Sequence, residues 1–286
     1  MSNGSLKERL DKCEHYQKFD AYKEKILALG NDSLEKTIAV ALALCFVCAI
    51  LVSFAAVALK PMQIENKALD MKKNILDVAG LLDEGTDINK AFASQIEEKL
   101  VDVETGSYVE DMDVVSYDQR KAAKDPELNI SIATSDDIAS IKRKAKIAKV
   151  YLVKKGDAID SIILPMHGYG LWSTMYGFLA LEADGQTVKS INFYDQAETP
   201  GLGGEVVNPN WRALWKGKKV YDESGEVKLG LIKGVVDTNK AGSEYDVDGL
   251  AGATLTSLGV SNLVKYWMSN QGFSTYLDKV RTQGEG

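Results

Sequence analysis

Asp248-Gly249-Leu250-Ala251-Gly252-Ala253-Thr254-Leu255-Thr256-Ser257 runs small residues directly into the helical pattern of Leu258–Met268. Backbone N–H groups at a helix start point outward with partial positive charge, so an anion such as a phosphate is favoured there. Gly252 and Ala253 remove bulk at the approach, and Thr254 offers a hydroxyl at the same spot, with Thr256 and Ser257 as further donors. A plain helix N-cap by Thr256 or Ser257 is the competing reading.

Two more loops share this character. In Glu198-Thr199-Pro200-Gly201-Leu202-Gly203-Gly204-Glu205, a proline and three glycines expose backbone that can lie flat against a planar ring or form an ordinary turn. In Gly168-Tyr169-Gly170-Leu171-Trp172-Ser173, Trp172 either packs on a flat ligand or belongs to the core.

Around these loops, Val150–Val153, Ser161–Leu164, Gly177–Leu181, Ser190–Tyr194 and Gly230–Val236 read as strands bounded by Gly, Asp or Pro. Asn210–Trp215 reads as a short helix, and Leu258–Met268 and Phe273–Val280 as the closing helices. Strands in meander order followed by helices predict an α+β domain with a mainly antiparallel sheet. Upstream, Ile64, Ala68, Met71, Ile75, Val78 and Leu82 form one helical stripe over Gln63–Leu82, and Asp87 can cap a helix over Ile88–Leu100. Residues 110–145 are polar and read as an insertion or connection.

Ile38–Leu59 is 22 residues without a charge. At 1.5 Å per residue that is roughly 33 Å of helix, enough for a bilayer core. Lys36 and Lys60 bracket it, and Pro61 is expected to end it. A cleaved signal peptide, suggested by Ala56-Val57-Ala58, is disfavoured by the length of the run and by the 37 residues before it. Cys45 and Cys48 sit at helical i, i+3 within the span as small packing residues. Four lysines lie close to each side (Lys18, Lys23, Lys25, Lys36; Lys60, Lys67, Lys72, Lys73), so charge does not orient the helix. Residues 1–36 carry seven basic and seven acidic side chains, and Leu6, Leu10, Cys13 and Tyr16 or Gln17 have the period of a short amphipathic helix, with a solvated tail as the equal alternative. The division is therefore 1–36 N-terminal segment, 37–60 anchor, 61–145 helical and insertion region, and 146–280 main domain.

Composition excludes several chemistries. A net charge of −7 argues against nucleic-acid binding. The only cysteines are Cys13, Cys45 and Cys48, so the main domain has no thiolate set for zinc or an iron–sulfur centre. A Ser-His-Asp hydrolase would have to use His167, the one histidine after the apolar span. Redox chemistry in this domain would need an organic cofactor.

Asp248-x-x-Ala251-Gly252-Ala253-Thr254 resembles the covalent flavinylation motif Asp-x-x-(Ser/Thr)-Gly-Ala-Thr of FMN-binding domains. Over about residues 38–275 the chain resembles the C subunit of the bacterial sodium-translocating NADH:quinone reductases. The resemblance is carried by Asn66-Lys67, Leu69-Asp70, Lys72-Lys73-Asn74-Ile75-Leu76, Gly170-Leu171-Trp172 with Met175-Tyr176-Gly177, and Glu198–Glu205. It implies FMN joined to Thr254 by a phosphoester that a flavin transferase makes from FAD, with Asp248 as the leading acid and Gly252, Ala253, Leu255 and Thr256 around the attachment point. Leu171, Trp172, Ser173, Glu198, Thr199, Leu202 and Gly203 would line the ring, and Lys233 would stabilise negative charge on it. The role implied is electron relay, with no stand-alone catalysis. Partner subunits deliver electrons from an iron–sulfur centre and take them to a second flavin, and the complex exports sodium. The chain would be a single-pass inner-membrane protein with the flavin domain on the periplasmic side. Ala251 departs from the motif's Ser/Thr, and the N-terminal segment is longer than the family's pattern; neither touches Thr254. The alternatives are the flavin subunit of the related ferredoxin:NAD oxidoreductase complex and a membrane-tethered assembly or binding protein without flavin.

Overall fold

A computed structural model describes residues 14–156 and 158–283. Leu6, Leu10 and Cys13 of the expected amphipathic helix lie outside them. The chain divides into two compact units, Met1–Asn66 and Lys67–Gly286.

The first unit holds helix α1 (Glu14–Ala28) and most of helix α2 (Leu34–Ala79). By length and composition α2 can cross a membrane, and its large apolar side chains between Ile38 and Leu59 are exposed. Pro61 does not end it: the helix runs through that position and on to Ala79. A proline inside a helix costs about 3 kcal/mol or more. Good helix formers carry α2 past it, and its far end is held by packing within the second unit.

That unit is built on a five-stranded sheet. In spatial order its strands are β1 (Ile96–Asp102), β4 (Ile147–Lys155), β5 (Ala158–Tyr169), β6 (Thr174–Glu182) and β7 (Val188–Asp195), with every neighbouring pair antiparallel. A short ladder of β2 (Asn129–Ser131) and β3 (Arg143–Ala145) lies within the polar 110–145 region. Beyond the sheet come a 3₁₀ turn (Gly203–Val207), α5 (Pro209–Ala213) and a parallel pair of β8 (Gly230–Leu231) with β9 (Asp246–Val247). Helix α6 (Thr254–Met268) and α7 (Ser274–Gln283) close the chain, while α3 (Ile88–Gln95) and α4 (Gln119–Ala122) stand before the central strands.

Both faces of the sheet are covered. Along β4, Val150 and Leu152 enter one core, and Tyr151 and Val153 the other. The larger core packs these strands against Val260, Leu263, Val264 and Trp267 of α6. The smaller packs them against Ile75, Leu76, Val78 and Ala79 of α2 and Phe92 of α3. Helix α2 stops at Gly80 (φ +73°), where the Leu81 N–H returns to the Leu76 carbonyl at 2.9 Å, a left-handed C-terminal cap.

Three expectations are corrected. The helix proposed for Ile88–Leu100 ends at Gln95, because Ile96–Asp102 pairs with β4 and buries Val101 in one core and Ile96 in the other. The strand proposed for Gly230–Val236 stops at Leu231, since Gly234 takes φ +89° and the Val236 N–H goes to the Asp248 carboxylate. On the predicted stripe, Ile64 and Ala68 stay exposed and burial begins only at Met71.

Candidate functional site

The sheet delivers two loops to one end. Strands β5 and β6 close as a hairpin between the paired Tyr169 and Thr174, which makes Gly170–Ser173 its turn. Strand β7 ends at Asp195, opposite Tyr176, and runs into the Glu198 loop. Helix α6 approaches closely: a Cβ on Gly259 would stand 2.6 Å from the Tyr169 carbonyl oxygen. Only glycine at 259 lets the helix lie this near the hairpin.

Glu198 joins these pieces. Its side chain is 5% exposed. Oε1 accepts the N–H groups of Leu171 (3.0 Å), Trp172 (3.0 Å) and Ser173 (3.3 Å). Oε2 accepts the Thr256 hydroxyl at 2.7 Å. Burial alone would raise the carboxyl's pKa, but the Trp172 amide, the Thr256 hydroxyl and the Leu171 and Ser173 amides outweigh it and hold the group below the ordinary carboxylate range. Ser173 adds a brace by accepting the Ala197 N–H on its hydroxyl at 2.8 Å. The Thr199 carbonyl closes the next turn by accepting from Leu202 and Gly204.

The start of α6 is bare. Ala253 occupies the cap position with no side-chain cap, and Gly252 (φ +71°) makes the left-handed turn into it. The helix's first backbone bond runs from the Ser257 N–H to the Ala253 carbonyl at 2.9 Å. The N–H groups of Thr254, Leu255 and Thr256 are the ones left over at this terminus. The three nearby hydroxyls differ in fate. Thr256 is buried on Glu198, and Ser257 is buried and accepts the Leu250 N–H at 3.0 Å. Thr254 is exposed, with no hydrogen bond from its hydroxyl among those of the described residues. Neither Thr256 nor Ser257 caps the helix.

Around this terminus lies an exposed apolar rim: Leu171 (38%), Trp172 (66%), Leu202 (42%) and Leu255 (57%). Leu202 reaches over Gly252, where a Cβ would meet its Cδ2 at 3.0 Å. Gly203 is buried beneath Glu198 and Thr256. Trp172 is thus a surface side chain and not a core one. Two expected residues stand further back. Asp248 faces its own loop, its carboxylate accepting the Val236 N–H at 2.9 Å and its carbonyl accepting the Trp211 indole N–H at 3.0 Å. Lys233 is exposed on the Ile232–Val236 loop, which is tied to the motif where the Gly249 N–H meets the Gly234 carbonyl at 3.0 Å.

Sequence reasoning missed Leu258, 55% exposed, and Tyr169, 45% exposed. Leu258 could have been found by counting, because it lies four residues after Thr254 on the same helix face. His167 is no hydrolytic base: it packs between Tyr176 (5.3 Å) and Trp267 (5.1 Å), and burial, reinforced by the Arg120 cation, pushes its pKa down to about 4. Among the described residues no cluster of three or more His, Cys, Asp or Glu could hold a metal ion.

A family model described as an FMN-binding domain matches residues 170–269, from the Gly170–Ser173 turn through the Glu198 loop to the end of α6. The C subunit of the Na+-translocating NADH-quinone reductase of Vibrio vulnificus is 50% identical over 255 residues, covering 89% of this chain and 98% of that one. Its counterpart in Pseudomonas aeruginosa is 48% identical, covering 88% and 98%. Among solved structures, the crystal structure of Shewanella oneidensis NqrC is similar with a TM-score of 0.68 and 34% identity, over 74% of this chain and 96% of that one. The C subunit of the reductase from Parabacteroides distasonis follows with a TM-score of 0.59 and 27% identity, over 77% and 96%.

Proposed function

This chain belongs to the family of C subunits of the Na+-translocating NADH-quinone reductases, and from that premise we propose that it carries FMN as a phosphoester on Thr254 and relays electrons within a membrane complex that exports sodium. The observation that carries the reading is the sorting of hydroxyls at the start of α6. Thr256 and Ser257 are buried and engaged, while Thr254 stands exposed on an uncapped helix terminus.

The residues suit the group. The leftover N–H groups of Leu255 and Thr256 favour a phosphate at this end of α6. Leu171, Trp172, Leu202 and Leu255 offer apolar surface to a planar ring, with Ser173, Thr199 and Gly203 as the backbone behind it. Lys233 supplies a positive charge on the neighbouring loop. When bound, FMN supplies the capacity to take up and release electrons singly or in pairs. The protein's part is to hold and orient it and to keep it from diffusing away.

The same reading assigns residues 1–36 to the cytoplasm, 37–60 to a single inner-membrane anchor, 61–145 to the helical and insertion region and 146–280 to a periplasmic FMN-binding domain. Its partners are the other subunits of the reductase, and a flavin transferase for maturation. The test is intact-mass measurement of the wild type and Thr254→Ala, each produced with the transferase. The wild type should carry the FMN increment and fluoresce in a denaturing gel, and the variant should show the apoprotein mass only. An adduct retained by Thr254→Ala would refute the assignment. An unmodified wild type would favour a tethered protein without flavin.

A further inference from the structure

The Glu198 carboxylate uses both oxygens to connect two elements that no strand ladder joins. One oxygen holds three consecutive amides of the β5–β6 turn, and the other holds a hydroxyl on the first turn of α6. The packing around it leaves no slack. A Cβ on Gly170 would stand 2.5 Å from Oε1, and one on Gly203 would stand 2.8 Å from Oε2 and 2.5 Å from the Thr256 hydroxyl. The carboxylate is buried, yet the residues on either side of its bonds, Trp172 and Thr254, are exposed.

We infer that Glu198 is the positioning residue of this site: it locks the Leu171–Trp172 shelf at a set place relative to Thr254 before any cofactor arrives, and it puts a permanent negative charge beside the ring. The inference rests on the proposed attachment of FMN to Thr254. An ionised acceptor holds amide donors more strongly than a neutral one. Accepting four donors satisfies the carboxylate and keeps it charged inside the protein. A fixed negative charge near a redox group opposes the arrival of an electron, so it lowers the reduction potential.

Glu198→Gln removes the charge and keeps the bulk. The glutamine oxygen can still accept the amides, and its NH2 group can donate to the Thr256 hydroxyl oxygen, so the tie survives with its direction reversed. With the transferase present, Glu198→Gln should keep the FMN adduct by mass, keep the induced visible circular dichroism of the bound flavin and shift its midpoint potential to more positive values. Thr256 supplies a second, independent pair. Thr256→Val keeps the volume and removes the hydroxyl; Thr256→Ser keeps the hydroxyl and removes the methyl. The dichroism should weaken in Thr256→Val and return in Thr256→Ser, whether or not Glu198→Gln folds. If flavin-loaded Glu198→Gln retains the wild-type potential, or if the Thr256 pair follows the methyl and not the hydroxyl, the inference is overturned. A wild type without adduct would overturn the attachment reading instead.

Discussion

The two faces of the sheet are covered by different elements, although alternate residues of the same strands supply both. On the α6 face, Val150, Leu152, Ile162 and Leu164 form the floor of a large core whose rim carries the exposed Thr254, Trp172 and Leu255. On the other face, Tyr151, Val153, Ile163 and Phe178 receive the end of α2 in a smaller core. That core is extended by a polar clasp. The Asn192 amide donates to Asn74 (2.8 Å) and Asp77 (3.0 Å), and Arg212 donates to Asp77 (2.6 Å) and to the Ile191 carbonyl (2.6 Å). The proposed flavin site adjoins the α6 core and the end of α2 packs on the other core, so substitutions should separate the two.

The largest expected effect is all-or-none. Thr254→Ala should abolish the flavin adduct while changing unfolding free energy by no more than about 0.5 kcal/mol, since the side chain is exposed. Leu76→Ala should do the reverse. Leu76 is fully buried, so its loss should cost about 2–5 kcal/mol in denaturant unfolding while the adduct remains. A stability loss in the first or an adduct loss in the second would break the separation.

Acid should act through His167, packed between Tyr176 and Trp267. His167, with a folded pKa of about 4 against about 6.5 unfolded, is held neutral by folding. Its contribution is intact above pH 6.5 and is lost progressively as pH falls towards 4, by up to about 3 kcal/mol. Replacing it in His167→Gln should flatten the fall in melting temperature between pH 6.5 and 4; an unchanged slope would assign the acid sensitivity elsewhere.

A smaller effect is expected at the clasp. Asp77→Ala strands the Arg212 and Asn192 donors and should cost about 1–3 kcal/mol, with flavin content unchanged. A loss of flavin there would mean that the two faces are coupled.

How much of this was legible depended on range. The strands β4–β7 and α6 could be read because they are local patterns: apolar runs between turn residues, and a helical stripe after a small-residue motif. The partner of Ile96–Asp102 could not, since its strand character comes from pairing with β4 about 50 residues away. The passage of α2 through Pro61 was hidden because proline is a local stop signal that the flanking turns override. At the site, Thr254 and the loops were visible as motifs. The burial of Glu198 and Thr256 against each other was not, because a hydrogen bond across 58 residues leaves no spacing signature.

A substitution expected to leave both faces undisturbed addresses the membrane side. Ser224→Cys in the exposed turn after Asp222 should react with a membrane-impermeant thiol reagent in intact spheroplasts. Cys13, on the proposed cytoplasmic side, should react only after lysis. Reversal of that pattern would reverse the orientation and the electron route.

The central claim is tested most directly by cleaving the wild-type chain, produced with the flavin transferase, with trypsin. Peptide Ala241–Lys265 contains Thr254, Thr256 and Ser257 without an internal cleavage site. Its mass should rise by FMN less one water, and fragmentation should put the increment on Thr254. An unmodified peptide, or an increment on Thr256, Ser257 or another peptide, would contradict the account.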